Sequence, residues 1–103
     1  MTSELQREMY ARDEIVRELG VTLEAIGEEA VLRLRVTGQQ ANSMRVLHGG
    51  IIFFLADTAL AYSAVAVDGP AVTRSASILY IKPAVAGDIL TARRYDQTLD
   101  VKE

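Results

Sequence analysis

A single carboxylate interrupts the longest apolar stretch of this 103-residue chain. Residues 48–57 read His-Gly-Gly-Ile-Ile-Phe-Phe-Leu-Ala-Asp, and Asp57 is the one charged group among them apart from His48 at their head. An ionised carboxylate in apolar surroundings costs several kcal/mol or has its pKa pushed upward unless partners hold it. Such a group can work as a general base or as a nucleophile. The structural alternative is an Asp buried and bonded to Asn, Ser or Thr. At the head of the run, Gly49 and Gly50 open a helix. The first N–H groups of a helix lack intrahelical partners and carry partial positive charge, and glycine lets a ligand's carbonyl approach them closely. That end can hold the oxyanion of an acyl-transfer intermediate. Equally, two glycines can make a tight turn beneath a packed helix. His48, the only histidine, can orient a substrate or a carbonyl, act as acid or base near neutral pH, or bond locally as a cap.

Other chemistries have little to build on. With no Cys and one His, a metal would need a carboxylate cluster, and none has ligand spacing. There is no Gly-x-Ser-x-Gly elbow. The net charge of −3, without a Lys/Arg cluster, argues against nucleic acid as partner. Asp68 and Asp88 sit beside Gly in turns, where Asp is routine. The acidic, polar N-terminus lacks the basic start and apolar stretch of a signal peptide, and the run Ile51–Val67 holds Asp57, Thr58 and Ser63, too polar and short to span a bilayer comfortably. The expectation is a soluble, cytoplasmic protein of one domain.

The elements that must position these residues follow from periodicity. Ser3 with Gln6 suggests a capping box, and the stripe Leu5, Met9, Ile15, Val16, Leu19 predicts a helix over about 4–19, stopped by Gly20. Val21–Ile26 and Val31–Val36 read as a hairpin, the second strand alternating Leu32, Leu34 and Val36 against Arg33 and Arg35. A polar loop over 37–44 leads to a helix over about 49–67, ended by Asp68-Gly69-Pro70. Strands are predicted over 71–81 and 89–95, and 96–103 as a polar tail without pattern. A helix apolar on nearly every side must be surrounded, which predicts an α+β fold with an antiparallel sheet wrapped around one long central helix.

Spacing adds a prediction about assembly. Gly49 and Asp57 are eight residues apart, about 12 Å along a helix axis at 1.5 Å per residue. A base and an oxyanion donor must each lie about 3 Å from one carbonyl group. Two antiparallel copies achieve this, with Gly49 of one facing Asp57 of the other, which predicts a two-fold homodimer.

Asn42, then His48-Gly49-Gly50, then Phe54-Leu55-Ala56-Asp57-Thr58-Ala59 resembles the signature of hotdog-fold thioesterases of the PaaI (phenylacetate-degradation) type. Tyr80-Ile81-Lys82-Pro83-Ala84 and Ala86-Gly87-Asp88 resemble that family's next strand and turn, so the likeness covers roughly residues 20–95. It implies a hotdog fold and metal-free hydrolysis of a small or aromatic acyl-coenzyme A, with no cofactor beyond the coenzyme A of the substrate. It further implies Asp57 as base or nucleophile, the Gly49 amide as oxyanion donor, Asn42 and His48 as orienting groups, and Thr73 or Ser75 as the Ser/Thr such proteins often carry near the next strand. Gly50 would line the substrate site. Arg45 stands where many relatives have Gly and would either alter the loop or offer coenzyme A phosphates a cation. Family members commonly form dimers that pair into tetramers. Relatives continue for two or so strands beyond the position of Tyr95, so the sheet is expected to lack its last strands. That departure motivates an alternative, an idle hotdog module binding an acyl or aryl ligand or a protein partner. Phe53, Phe54 and Tyr62 are candidates either for an aromatic acyl pocket or for the core.

Overall fold

Alternation shapes the sheet. In the computed structural model, which describes residues 2–69, 72–95 and 98–102, β1 (Thr22–Ala25), β2 (Val31–Arg35), β3 (Ile89–Tyr95) and β4 (Thr98–Lys102) form one antiparallel sheet in the order β1-β2-β3-β4. Leu32 and Leu34 are buried while Arg33 and Arg35 face solvent. The β2–β3 register sets Leu32 opposite Ala92 and Leu34 opposite Leu90, so one face of both strands turns to the core, as a period of two requires.

Against that face lies α3 (Gly49–Asp68), which packs on β2, β3 and β4 and also meets the N-terminal helix. Leu55, Ala59 and Tyr62 are essentially fully buried there. Asp68-Gly69 ends the helix as expected, with Gly69 at φ +80° and its N–H on the Val65 carbonyl; Pro70 and Ala71 lie outside the described residues. An antiparallel sheet on one long central helix is the α+β layout expected, but within this chain one face of the helix is left open. Gly50, Leu60 and Val67 are exposed and Phe53, Asp57 and Ala64 partly so. Their steps of three and four residues mark one open face. The sheet covers the opposite face.

The predicted 4–19 helix is two helices, α1 (Thr2–Arg12) and α2 (Glu14–Glu18), with Ser3 inside α1 rather than capping it. Asp13 leaves helical geometry at φ −90°, ψ 81°. The break aims Val16 into the core and lets Asp13 accept a hydrogen bond from the Tyr62 hydroxyl. Gly20 is the stop, at φ +87°. Its N–H reaches the Arg17 carbonyl and that of Val21 the Val16 carbonyl, the paired bonds of a Schellman cap.

Two further expectations change places. The tail contributes β4, paired with β3 from Thr91↔Lys102 to Tyr95↔Thr98; residues 96, 97 and 103 lie outside the described set. The signal was the alternation in Thr98-Leu99-Asp100-Val101-Lys102. In contrast, the strand predicted over 71–81 has no ladder: 72–83 is an exposed, irregular strap. Strand preference is realised against a neighbouring strand, and this segment runs beside α3 instead.

Candidate functional site

The site grows from the loop before α3. A short 3-10 turn (Gly38–Gln40) leads into it. Gln40 is buried; its Nε2 donates to the Leu19 carbonyl and its Oε1 accepts from the Thr37 N–H. Its own carbonyl receives the His48 N–H at 3.1 Å. The helix entry is thus fixed to the end of α2. On the other side, an isolated bridge pairs Ala41 with Leu47, and the Leu47 N–H reaches the Ala84 carbonyl at 2.8 Å.

Asn42 builds this loop. Its Oδ1 accepts from the N–H groups of Met44 (2.8 Å) and Val46 (3.3 Å), and its backbone bonds Val46 and Arg45. This is the Asx-type arrangement that competes with regular structure. The carboxamide oxygen is therefore engaged inside the loop, and the Nδ2 hydrogens are what Asn42 has left for another group. Arg45 stands at the exposed apex with φ +65°, a left-handed conformation that favours glycine and is held here by the loop around it.

His48 is the residue preceding the helix, with an exposed side chain that makes no cap bond. Its carbonyl accepts from both Ile51 and Ile52. The N–H groups of Gly49 and Gly50 take no acceptor among the described residues. They are the free, partly positive donors that a helix start presents.

Asp57 lies two turns further on, on the open face of α3. It is partly buried, not sealed in apolar surroundings as the sequence suggested. Its Oδ1 accepts a hydrogen bond from the Thr73 hydroxyl. Of the two hydroxyl candidates, Thr73 meets the carboxylate, while Ser75 is simply exposed. The strap makes a second contact seven residues later, where the Tyr80 hydroxyl donates to the Gly49 carbonyl at 3.0 Å. One segment therefore joins both ends of the candidate site. Phe53, one helical turn before Asp57, shares its open face, whereas Phe54 packs against the core and Tyr62 is buried in it. Among the described residues no three His, Asp or Glu side chains converge to hold a metal ion.

Gln40 and Tyr80 escaped the sequence reading. Gln40 looked like one polar loop residue among several, and Tyr80 like a strand position. Neither type nor spacing marks a residue whose role is to bond distant backbone.

The family model for the thioesterase superfamily matches residues 44–94, from the loop apex through α3 and the strap into β3. The acyl-coenzyme A thioesterase PaaI of Escherichia coli is 39% identical over 85 residues, 82% of this chain but 61% of that protein, so the match spans less than two thirds of its length. Its solved structure superposes with a TM-score of 0.82 at 31% identity, covering 94% of this chain and 77% of the other. A putative esterase of Archaeoglobus fulgidus is 31% identical over 103 residues, 99% of this chain and 67% of that one. A hypothetical thioesterase of Streptococcus pneumoniae, solved with coenzyme A, matches with a TM-score of 0.68 at 25% identity, covering 79% and 70% of the two chains. The chain belongs to the thioesterase superfamily, as a PaaI-type protein of the hotdog fold.

Proposed function

We propose that this protein hydrolyses the thioester of a small or aromatic acyl-coenzyme A in the cytoplasm. One observation carries the reading: Asp57 is held by Thr73 on an open helix face, reachable by water, while free amides wait at the start of the same helix. Asp57 takes a proton from a water molecule, and the oxygen of that water adds to the thioester carbonyl. The resulting oxyanion is stabilised by the Gly49 amide, with Gly50 beside it. Collapse breaks the C–S bond, the coenzyme A thiolate leaves, and the proton on Asp57 returns to it. The acid and the free thiol are the products. Phe53 supplies an apolar surface one turn from the base for an acyl group, and Arg45 a cation for coenzyme A phosphates. The coenzyme A in the Streptococcus pneumoniae relative supports that substrate class.

In this reading two copies complete one site, the donor end of one protomer lying opposite the carboxylate of its partner, and the axial separation of Gly49 and Asp57 supports it. The exposed Leu60 and Val67 on α3 and Val72, Leu79 and Ile81 on the strap are apolar surface that such pairing would cover. The test is free-thiol release from short, long and aromatic acyl-coenzyme A substrates, with Asp57→Asn alongside and the mass in solution measured. The wild type should turn over at least one class as a dimer or higher oligomer, and the variant about 10²–10⁴-fold more slowly. Equal release by both proteins rejects the assignment; tight binding without release by the wild type favours the idle ligand-binding module.

A further inference from the structure

Gly49 is not explained by its backbone angles. It is not among the residues with positive φ, and within a helix glycine is worse than alanine by about 1 kcal/mol. The reason lies in the strap. A Cβ at position 49 would come within 3.2 Å of Tyr80 Cζ, 3.3 Å of its hydroxyl oxygen and 3.4 Å of Cε1. Glycine lets the Tyr80 ring lie against the helix start, and from there its hydroxyl reaches the Gly49 carbonyl at 3.0 Å. Gly50 differs. It too lacks positive φ, and a Cβ there would meet nothing within 4 Å. Packing within the chain demands no glycine at 50, whose open approach leaves room for a group from outside.

Chemistry connects the two positions. The Gly49 carbonyl and the Gly50 N–H belong to one planar peptide group. A donor on that carbonyl fixes the plane and draws electron density from the nitrogen, so the N–H becomes a stronger donor, the cooperative effect of linked hydrogen bonds. The preceding peptide is treated in the same way, because the His48 carbonyl accepts from Ile51 and Ile52, and its N–H is that of Gly49. Both free amides thus sit on peptides whose carbonyls are hydrogen-bonded, and the Tyr80 hydroxyl adds a donor to the one at Gly49.

We infer that Tyr80 is a positioning residue for the oxyanion-binding end of α3: its hydroxyl, seated on the Gly49 carbonyl, aims and strengthens the adjoining amides. The inference rests on the thioesterase reading above. Tyr80 touches no reacting atom in it and acts through the peptide. Its ring is half exposed, so removing the hydroxyl leaves the core intact.

The experiment is Tyr80→Phe in the whole chain, with turnover measured on the best substrate of the wild type and glycine amides followed by 15N NMR. The ring, and with it the contact to Gly49, is kept. The kcat should fall about five- to tenfold, the size of one neutral hydrogen bond, with KM within about twofold, as for an interaction realised in the transition state. The Gly50 amide proton should move upfield, and the melting temperature should hold. Unchanged kcat overturns the inference, and so does a loss confined to KM, which would make the hydroxyl a substrate contact. If the wild type releases no thiol from any substrate, the thioesterase reading fails by itself. The NMR arm then decides whether Tyr80 sets the helix end: an unmoved Gly50 signal rejects it, and an upfield shift upholds the positioning.

Discussion

The two faces of α3 carry much the same side chains and are completed differently. On the closed face, Leu55, Ala59, Tyr62 and Ser63 are buried, and the polar atoms among them have partners within the chain. Ser63 Oγ accepts from the Ala30 N–H at 3.1 Å. The Tyr62 hydroxyl donates to Asp13, and the Tyr62 carbonyl receives Gln6 Nε2 at 2.7 Å. On the open face, Phe53, Asp57 and Leu60 look outward, and the carboxylate is held by a hydroxyl on an exposed strap. Apolar composition says that a helix will be covered; it does not say by what. Where buried polar groups are satisfied inside the chain, the cover is the fold itself. A carboxylate left half open beside apolar side chains is set up for something that arrives.

The sharpest way to break this contrast is to change one residue on each face. Asp57→Asn keeps shape and removes the proposed base. Turnover should fall by about 10²–10⁴, the usual contribution of a general base, while the melting temperature stays the same. A variant with much reduced stability would mean that Asp57 is structural after all. Leu55→Ala does the reverse. It empties a fully buried site and should cost about 2–5 kcal/mol of unfolding free energy, read from urea midpoints, with the KM of the folded fraction unaltered.

Gln6→Ala tests the polar side of the closed face. Gln6 is fully buried, donates to the carbonyls of Gly27 and Tyr62, and accepts from the Gly27 N–H. It ties α1 to the β1–β2 turn and to α3 at once. Its loss leaves buried backbone groups unpaired, which should cost about 1–3 kcal/mol and lower the melting temperature by at least several degrees. Activity should persist below that temperature. Loss of activity without loss of stability would show that the two faces are coupled.

What was legible in the sequence divides along the same line. The hairpin, α3, β3 and the Schellman stop at Gly20 follow local rules, so periodicity and a turn residue located them. The placement of Gly49 and Asp57 on one helix, with His48 just before it, followed from the apolar run and its turn residues. Neither the strap nor β4 was legible, since each depends on its neighbours: Thr98–Lys102 becomes a strand by pairing with β3, and 72–83 is none because it borders a helix. Gln6 was read as half of a capping box, yet its side chain bonds residues 21 and 56 positions away. Thr73 could be separated from Ser75 only by geometry, because both are small hydroxyl residues in the same exposed segment.

The smallest predicted effect belongs to Tyr62 and depends on pH. Its phenol is pushed well above its ordinary range, first by burial, then by the negative charge of Asp13 and the hydrogen bond to it, with Tyr10 adding and Arg17 opposing. The folded protein therefore keeps this proton when the unfolded chain has lost its own. An unfolded tyrosine titrates near pH 10. Above that value the unfolded state binds fewer protons than the native one, and stability falls as pH rises. Below it the contribution of the neutral phenol is fully present. Tyr62→Phe removes both the 3.3 Å bond to Asp13 and the ionisable group. At neutral pH the variant should be less stable by about 1 kcal/mol. By about pH 11 the gap should close or reverse, because only the wild type carries the titration of this phenol. Urea midpoints at the two pH values measure it as a difference between variant and wild type, which cancels the other tyrosines. A gap that stays constant would place the Tyr62 hydroxyl in water, and the closed face would then be less closed than the open one is open.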